Sequence, residues 1–198
     1  GVAPEANIIA GAVFTYISRT YTVDGNLYKE MDVVCYSADI RIGVATVLSL
    51  IQNDGVDVAA VNLSLGGSAY TSTCDTSDAV LTALFRALKE AGSPAVVASG
   101  NSYYTNAISW PSCISSAYAV GAVGMSGDTI SVANFSNSSN QLSLLAPGVS
   151  LYSSLLNGYG LMSGTSMAAP VVTGAMALVK NNWAVGVNGD TIQSFFQN

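Results

Sequence analysis

The chain has 198 residues, half of them hydrophobic and 9% charged, with a formal net charge of −6. That length and apolar content suit one domain with a sizeable core. The basic residues Arg19, Lys29, Arg41, Arg86, Lys89 and Lys180 stand singly, so no basic stripe follows a phosphate backbone and no polybasic patch meets lipid headgroups. The longest uncharged apolar run, Met167 to Val179, is shorter than the ~20 residues of a membrane-spanning helix and contains Pro170 and Thr173. Neither nucleic acid nor a membrane is expected as a partner. Gly1-Val2-Ala3-Pro4 lacks the basic start and apolar core of a signal peptide, and the chain reads as the interior of a longer polypeptide. Cys35, Cys74 and Cys113 allow one disulfide with one thiol, or three buried thiols, and their spacing suits no zinc motif.

Taken in order, Ala6 to Phe14 is an Ile/Val-rich run of strand length after Pro4, which predicts a buried parallel strand. Thr20 to Met31 has no sustained period, and Asp24-Gly25-Asn26 is a turn signal, so this stretch reads as a surface loop. Ser37 or Asp39 can cap a helix carrying Ile40, Val44, Val47, Leu48 and Ile51 at helical spacing, with Gly55 as its left-handed end. Asp57 to Leu65 predicts an apolar strand that ends in Gly66-Gly67, a pair permitting close approach of a second backbone; Asn62 within it needs a hydrogen-bond partner. Asp75, Thr76 or Ser77 can cap a helix over Ala79 to Glu90, with Val80, Leu84, Ala87 and Leu88 inward and Gly92 closing it.

Ala95 to Ala98 predicts a third strand, running into the polar turn Ser99-Gly100-Asn101 at its carboxyl end, where open α/β sheets bind ligands. Ala117 to Val123 reads as a further buried strand. Thr129 to Phe135 and Gln141 to Leu145 read as a hairpin-like pair, and Val149 to Leu155 as an extended segment after Pro147-Gly148. Met167 to Val179 holds no charge and predicts a helix buried all round, ended by Asn181 and Asn182; Asn188 or Asp190 starts a short final helix. Alternating strands and helices imply right-handed crossovers and a largely parallel sheet, an α/β fold. The sequence shows no internal boundary or repeat, and residues 1–198 are read as one unit.

The chemistry is concentrated in Ser163-Gly164-Thr165-Ser166-Met167-Ala168-Ala169-Pro170. A serine hydroxyl is a weak nucleophile unless its geometry is fixed and a base takes its proton, and the first turn of a helix offers unpaired N–H groups and a positive dipole end. Gly164, Ala168 and Ala169 let another backbone approach. This octapeptide resembles the nucleophile signature of the subtilisin-like serine proteases. Three further segments resemble motifs of that family in the same order: Gly1 to Ala6, Asn62-Leu63-Ser64-Leu65-Gly66-Gly67, and Ala98-Ser99-Gly100-Asn101.

The resemblance implies a three-layer α/β sandwich with a largely parallel central sheet, of which this chain would be the carboxyl-terminal portion, incomplete at its amino terminus. It implies a secreted, monomeric serine endopeptidase acting on polypeptides, with Ser166 as nucleophile and Asn101 as oxyanion donor. Ser64, Leu65 and Gly66 would face Ala98, Ser99 and Gly100 across the bound peptide and supply main-chain hydrogen bonds, with Ser109 near the base of the pocket for the residue before the scissile bond. It pairs Cys74 with Cys113. No cofactor is expected; the family admits structural calcium, for which the sequence offers no ligand set.

The chain departs from the pattern in one large respect. It contains no histidine, and none of its aspartates stands in the family's Asp-Ser/Thr-Gly context, so the base and acid of the triad are expected upstream of Gly1, and the chain alone is expected to be inactive. An α/β-hydrolase, suggested by Gly164 to Ala168, fails on order, because its acid and histidine should follow the serine. A non-catalytic peptide-binding module with the same scaffold is the alternative. Asn134-Phe135-Ser136 and Asn137-Ser138-Ser139 also fit the glycosylation sequon.

Overall fold

A computed structural model describes residues 1–182. In chain order its elements are β1 (Thr15–Val23), β2 (Asn26–Val34), α1 (Ser37–Asp54), β3 (Val61–Leu63), β4 (Ala69–Tyr70), α2 (Ala79–Glu90), β5 (Ala95–Ala98), β6 (Ile108–Ser109), β7 (Tyr118–Ser126), β8 (Thr129–Val132), β9 (Leu144–Pro147), β10 (Leu151–Leu155), β11 (Gly158–Met162) and α3 (Thr165–Asn182). The final helix expected from Asn188 or Asp190 lies outside the described residues.

β5 is the axis of the molecule. It pairs in parallel with β3 on one side (Val61 opposite Ala95) and with β7 on the other (Val96 opposite Tyr118). β9 continues the parallel sheet along β7, and β8 returns antiparallel on the outer half of the same strand. Side chains alternate across a strand, so Ala95 and Val97 join one core with Ile40 and Val44 of α1 and with Leu81, Phe85 and Leu88 of α2. Val96 and Ala98 enter a second core with Val120, Ala122, Ala146 and the α3 residues Ala168, Ala169, Val172 and Met176. Helices thus cover both faces, giving the three-layer α/β sandwich with a largely parallel sheet. Leu81, Phe85 and Leu88 are fully buried, each contributing roughly 2–3 kcal/mol by removal from water.

Several local expectations are revised. Ala6 to Phe14 forms no strand, and Ile8 is 90% exposed. A parallel strand exists only where a neighbour completes its ladder, and this segment runs instead along α1, where Val13 fills the space over Gly43. The expected loop from Thr20 to Met31 lies in the β1–β2 hairpin. Asp24 (φ 48°) and Gly25 (φ 79°) make its two-residue turn, both left-handed as the right-handed strand twist favours.

Asp78, one residue beyond the expected caps, accepts from the Leu81 N–H and starts α2, while Tyr36 precedes α1 without a side-chain cap. In α2 Val80 points outward, and Leu81, Thr82 and Phe85 face the core with Leu88. Gly55 ends α1 in the left-handed conformation, as expected. The pair expected from Thr129 to Leu145 does not form a hairpin, because β8 and β9 each pair with β7. β10 instead pairs with β11, a strand the glycine-rich Gly158-Tyr159-Gly160 had concealed. α3 is buried along one face, whereas Leu178 is 41% exposed and Pro170 also faces outward.

Candidate functional site

The octapeptide forms the turn from β11 into α3, with Gly164 immediately before the helix and Ser166 as its second residue. Gly164 accepts at its carbonyl from the N–H groups of Met167 and Ala168, closing the first turn. The N–H of Ser166 lies within that turn, where no intrahelical carbonyl stands behind it. β5 ends at Ala98, and the loop after it brings Asn101 to the same place. The side-chain oxygen of Asn101 accepts from the Thr165 N–H (2.8 Å) and the Thr165 hydroxyl (3.0 Å), and that hydroxyl accepts from the Gly100 N–H (3.1 Å).

An N–H can only donate, so the Asn101 atom facing Thr165 is its carbonyl oxygen, and its NH2 group is directed the other way. A Cβ placed on Gly164 would lie 3.5 Å from Asn101 Nδ2 and 3.7 Å from the Ser166 nitrogen. Asn101 Nδ2 and the Ser166 nitrogen therefore both lie within 4 Å of the place a side chain on residue 164 would take.

Ser64 follows β3, and its hydroxyl donates to the Ser166 main-chain carbonyl at 2.8 Å. It accepts from Asn62 Nδ2 (3.0 Å), and Asn62 Oδ1 accepts from the Thr173 hydroxyl (3.2 Å). Asn62 is exposed, so burial does not demand these partners as expected, yet the relay they form ties β3 to α3. Leu65 is half-buried against the α1–α2 core. Gly66 meets Ser109, whose Cβ would be 3.3 Å from an added methyl, and the Gly67 N–H donates to the Trp110 carbonyl at 2.8 Å. The segment 64–67, the turn 98–101 and Ser109 therefore surround one side of the α3 start.

The second of these walls differs from expectation in its chemistry. Ala98 and Ser99 are buried; the Ser99 N–H donates to the Val120 carbonyl, and the Ser99 carbonyl accepts from both the Ser109 N–H and Asn137 Nδ2. The main-chain groups of Ser99 and Gly100 are thus engaged within the protein, so these two residues offer surface rather than open main-chain partners. Sequence reasoning treated Asn137 as a sequon asparagine, yet it is fully buried and bonds to the loop that carries Asn101. Only its place in an otherwise small, polar segment could have hinted at this.

Asp75, read as a turn or cap residue, receives two hydrogen bonds from Ser115, at 2.8 Å and 2.7 Å. Beside it Cys74 and Cys113 are bonded as a disulfide. Cys35 is the free thiol, and burial, with a smaller effect of the Asp39 charge, pushes its pKa above the ordinary value. Among the described residues no group of three or more His, Cys, Asp or Glu side chains could hold a metal ion, and no helix is long and apolar enough to cross a membrane.

An α/β sandwich with a helix-borne serine, an adjacent asparagine amide and two strand-end walls has close counterparts. The subtilase family model matches residues 1–198, and the chain belongs to the subtilase family. It is 38% identical over 139 residues to alkaline elastase YaB of Bacillus sp. (strain YaB), covering 70% of this chain and 33% of that protein. It is 39% identical over 123 residues to subtilisin E of Bacillus subtilis (strain 168), covering 60% and 30% respectively. Among solved structures, a cold-adapted subtilisin-like serine proteinase superposes with a TM-score of 0.64 at 27% identity, covering 81% of this chain and 54% of that one. A protease from Pseudoalteromonas arctica superposes with a TM-score of 0.67 at 26% identity, covering 81% and 50%. The chain thus spans about a third of these curated relatives and about half of the solved chains.

Proposed function

We propose that this chain is the nucleophile-bearing part of a secreted, monomeric serine endopeptidase that hydrolyses polypeptides. The Ser166 hydroxyl attacks the scissile carbonyl carbon, and the base that takes its proton, with the acid that orients that base, lies upstream of Gly1 in the same polypeptide. Negative charge builds on the carbonyl oxygen as the tetrahedral intermediate forms. Asn101 Nδ2 and the Ser166 N–H stabilise that charge, because they are fixed before the reaction and need not reorganise. Collapse expels the amine, which takes a proton from the conjugate acid of the base, and water then releases the acyl group from Ser166.

The observation that carries the reading is that Asn101 Nδ2 and the Ser166 nitrogen lie together beside Gly164, at the start of the helix that bears Ser166. Residues 64–66, 98–100 and Ser109 flank the peptide, with Ser109 near the base of the pocket. Secretion is supported by the Cys74–Cys113 disulfide, since such bonds persist in oxidising compartments. The group assigns no work to a metal or cofactor.

The chain itself contains no histidine. On its own it should retain at most what positioning and donors supply, roughly 10³–10⁴ over water by analogy with subtilisin stripped of its triad. The test is a fluorophosphonate probe applied to the 198-residue chain and to a longer polypeptide extended upstream. Labelling of the longer form, lost in Ser166→Ala, with little on the short chain, is expected. A longer form that binds peptides yet never labels at Ser166 would favour the non-catalytic binding module.

A further inference from the structure

We propose that Asn137 is a positioning residue, acting through the turn that carries Asn101; this rests on the reading of Asn101 as an oxyanion donor. Asn137 is fully buried, and both ends of its amide are occupied. Its side-chain oxygen accepts from the N–H groups of Ser102 (2.8 Å) and Tyr104 (3.3 Å), and its NH2 group donates to the Ser99 carbonyl (3.1 Å) and the Ser109 hydroxyl (3.2 Å). Its own N–H donates to the Gly100 carbonyl (2.9 Å), and its carbonyl accepts from the Ser99 hydroxyl (2.9 Å).

These bonds reach residues 99, 100, 102 and 104, on both sides of Asn101, without a bond to Asn101 itself. The clamped turn is one that would not hold its shape unaided. Gly100 has φ 104°, and an added Cβ would fall 2.3 Å from Asn137 Nδ2. Tyr103, between the two N–H groups that Asn137 accepts, has φ 63°, an unfavourable conformation for a bulky L-residue. Asn137 also links this turn to Ser109 on the neighbouring wall, so one buried amide sets the oxyanion donor and the pocket base together.

Only a planar group with two donors and two acceptors fits all four partners. Aspartate would turn an oxygen on the Ser99 carbonyl, and a smaller residue would strand the Ser102 and Tyr104 N–H groups. The experiment measures kcat and KM of a peptide substrate in the polypeptide extended to include its base, for Asn137→Asp, Asn137→Ser, Asn101→Ala and the double variants. In folded protein Asn137→Asp is expected to lower kcat about 10- to 100-fold, the scale of an ångström-level misplacement, with KM changed less than about twofold. In the Asn101→Ala background the same change should cost little, because the group it positions is gone. Asn137→Ser, which keeps one donor, should fall between, and it supplies the test if the aspartate variant does not fold. An unchanged kcat in either folded variant, or losses that multiply fully with Asn101→Ala, would overturn the proposal. Unchanged kcat in Asn101→Ala alone would instead remove the oxyanion reading beneath it.

Discussion

Asn101 accepts two hydrogen bonds from a single residue, Thr165, whose N–H and hydroxyl both meet its side-chain oxygen. The loop after β5 and the start of α3 are thereby joined, and the orientation of the asparagine amide is fixed by a donor that cannot reverse. Helix start and candidate oxyanion donor are one structure, so substitutions at residue 101 separate folding from chemistry.

Asn101→Asp keeps the acceptor that Thr165 requires and places a negative charge at a helix amino end, which that end favours. It replaces the outward NH2 by an oxygen that repels a developing oxyanion. Denaturation midpoints should therefore match the parent chain or exceed it slightly, while kcat of the extended enzyme falls at least as far as in Asn101→Ala. That loss should be about 10²–10³, the figure known for a subtilisin lacking its oxyanion asparagine. Equal activity in the aspartate variant would exclude residue 101 from the chemistry.

Asp78 joins α1 to α2. Both its carboxylate oxygens lie 3.0 Å from Arg41 Nε, and Oδ1 also caps α2 through the Leu81 N–H. The carboxylate is buried while Arg41 is partly exposed, so removing the acid lets the guanidinium return to water but leaves the helix start unpaired. Asp78→Ala should cost about 2–3 kcal/mol from the lost cap and charged hydrogen bond, and Asp78→Asn, which can still cap, roughly half of that. Urea unfolding of the two variants checks the order. An asparagine variant as unstable as the alanine one would show that the ion pair dominates the cap.

Much of this arrangement is legible in the order of residues, and its limits have physical causes. α2 and β5 carry signals in their own residues: a 3.6-residue apolar repeat in one, an uninterrupted apolar run in the other. Their bounds are readable to the residue, though the α2 cap and the direction of Val80 are not. Ala6 to Phe14 carries an equally good apolar run, but a strand also needs a neighbour, which a local pattern does not encode. β8 and β9 read as extended and as partners of each other, because the choice of β7 as common partner is a tertiary decision. The octapeptide located Ser166, while the clamp at Asn137 stayed invisible, since a buried asparagine reads like a surface one until its four partners are placed.

The cysteines give a chemical check on the fold. Cys74 and Cys113 are bonded across 39 residues, which in the chain-entropy model stabilises the folded state by about 4 kcal/mol. Native oxidised protein should therefore take up alkylating agent at Cys35 alone. Burial and the Asp39 charge raise the Cys35 pKa, so less thiolate is present at a given pH than for an ordinary thiol. Alkylation should be slow near neutrality and still climbing at pH 9, where an ordinary thiol is already mostly ionised. Denatured, reduced protein should yield three modified sites. Two fast-reacting thiols in the native oxidised state would contradict the disulfide.

Gly164 separates shape from chemistry most sharply. Its φ of 157° makes a side chain somewhat strained, yet an added Cβ would meet Asn101 Nδ2, Met167 Sδ and the Ser166 nitrogen at 3.5–3.7 Å, ordinary contact distances. Gly164→Ala should consequently fold, losing about 1–3 kcal/mol to backbone strain. The new methyl, however, would sit beside both proposed donors and crowd the carbonyl oxygen that the proposed reading places there. In the extended enzyme kcat should fall by at least about 10²-fold, the scale of losing one such donor. Fluorophosphonate labelling of Ser166 should slow in parallel, because the phosphonyl oxygen needs the same space. Gly148→Ala is the control: its Cβ would press on Ala122 at 2.6 Å and on the Gly164 carbonyl at 2.9 Å, so its damage should register in stability as well as in rate. A Gly164→Ala enzyme that folds and turns over at the parent rate would place the oxyanion elsewhere.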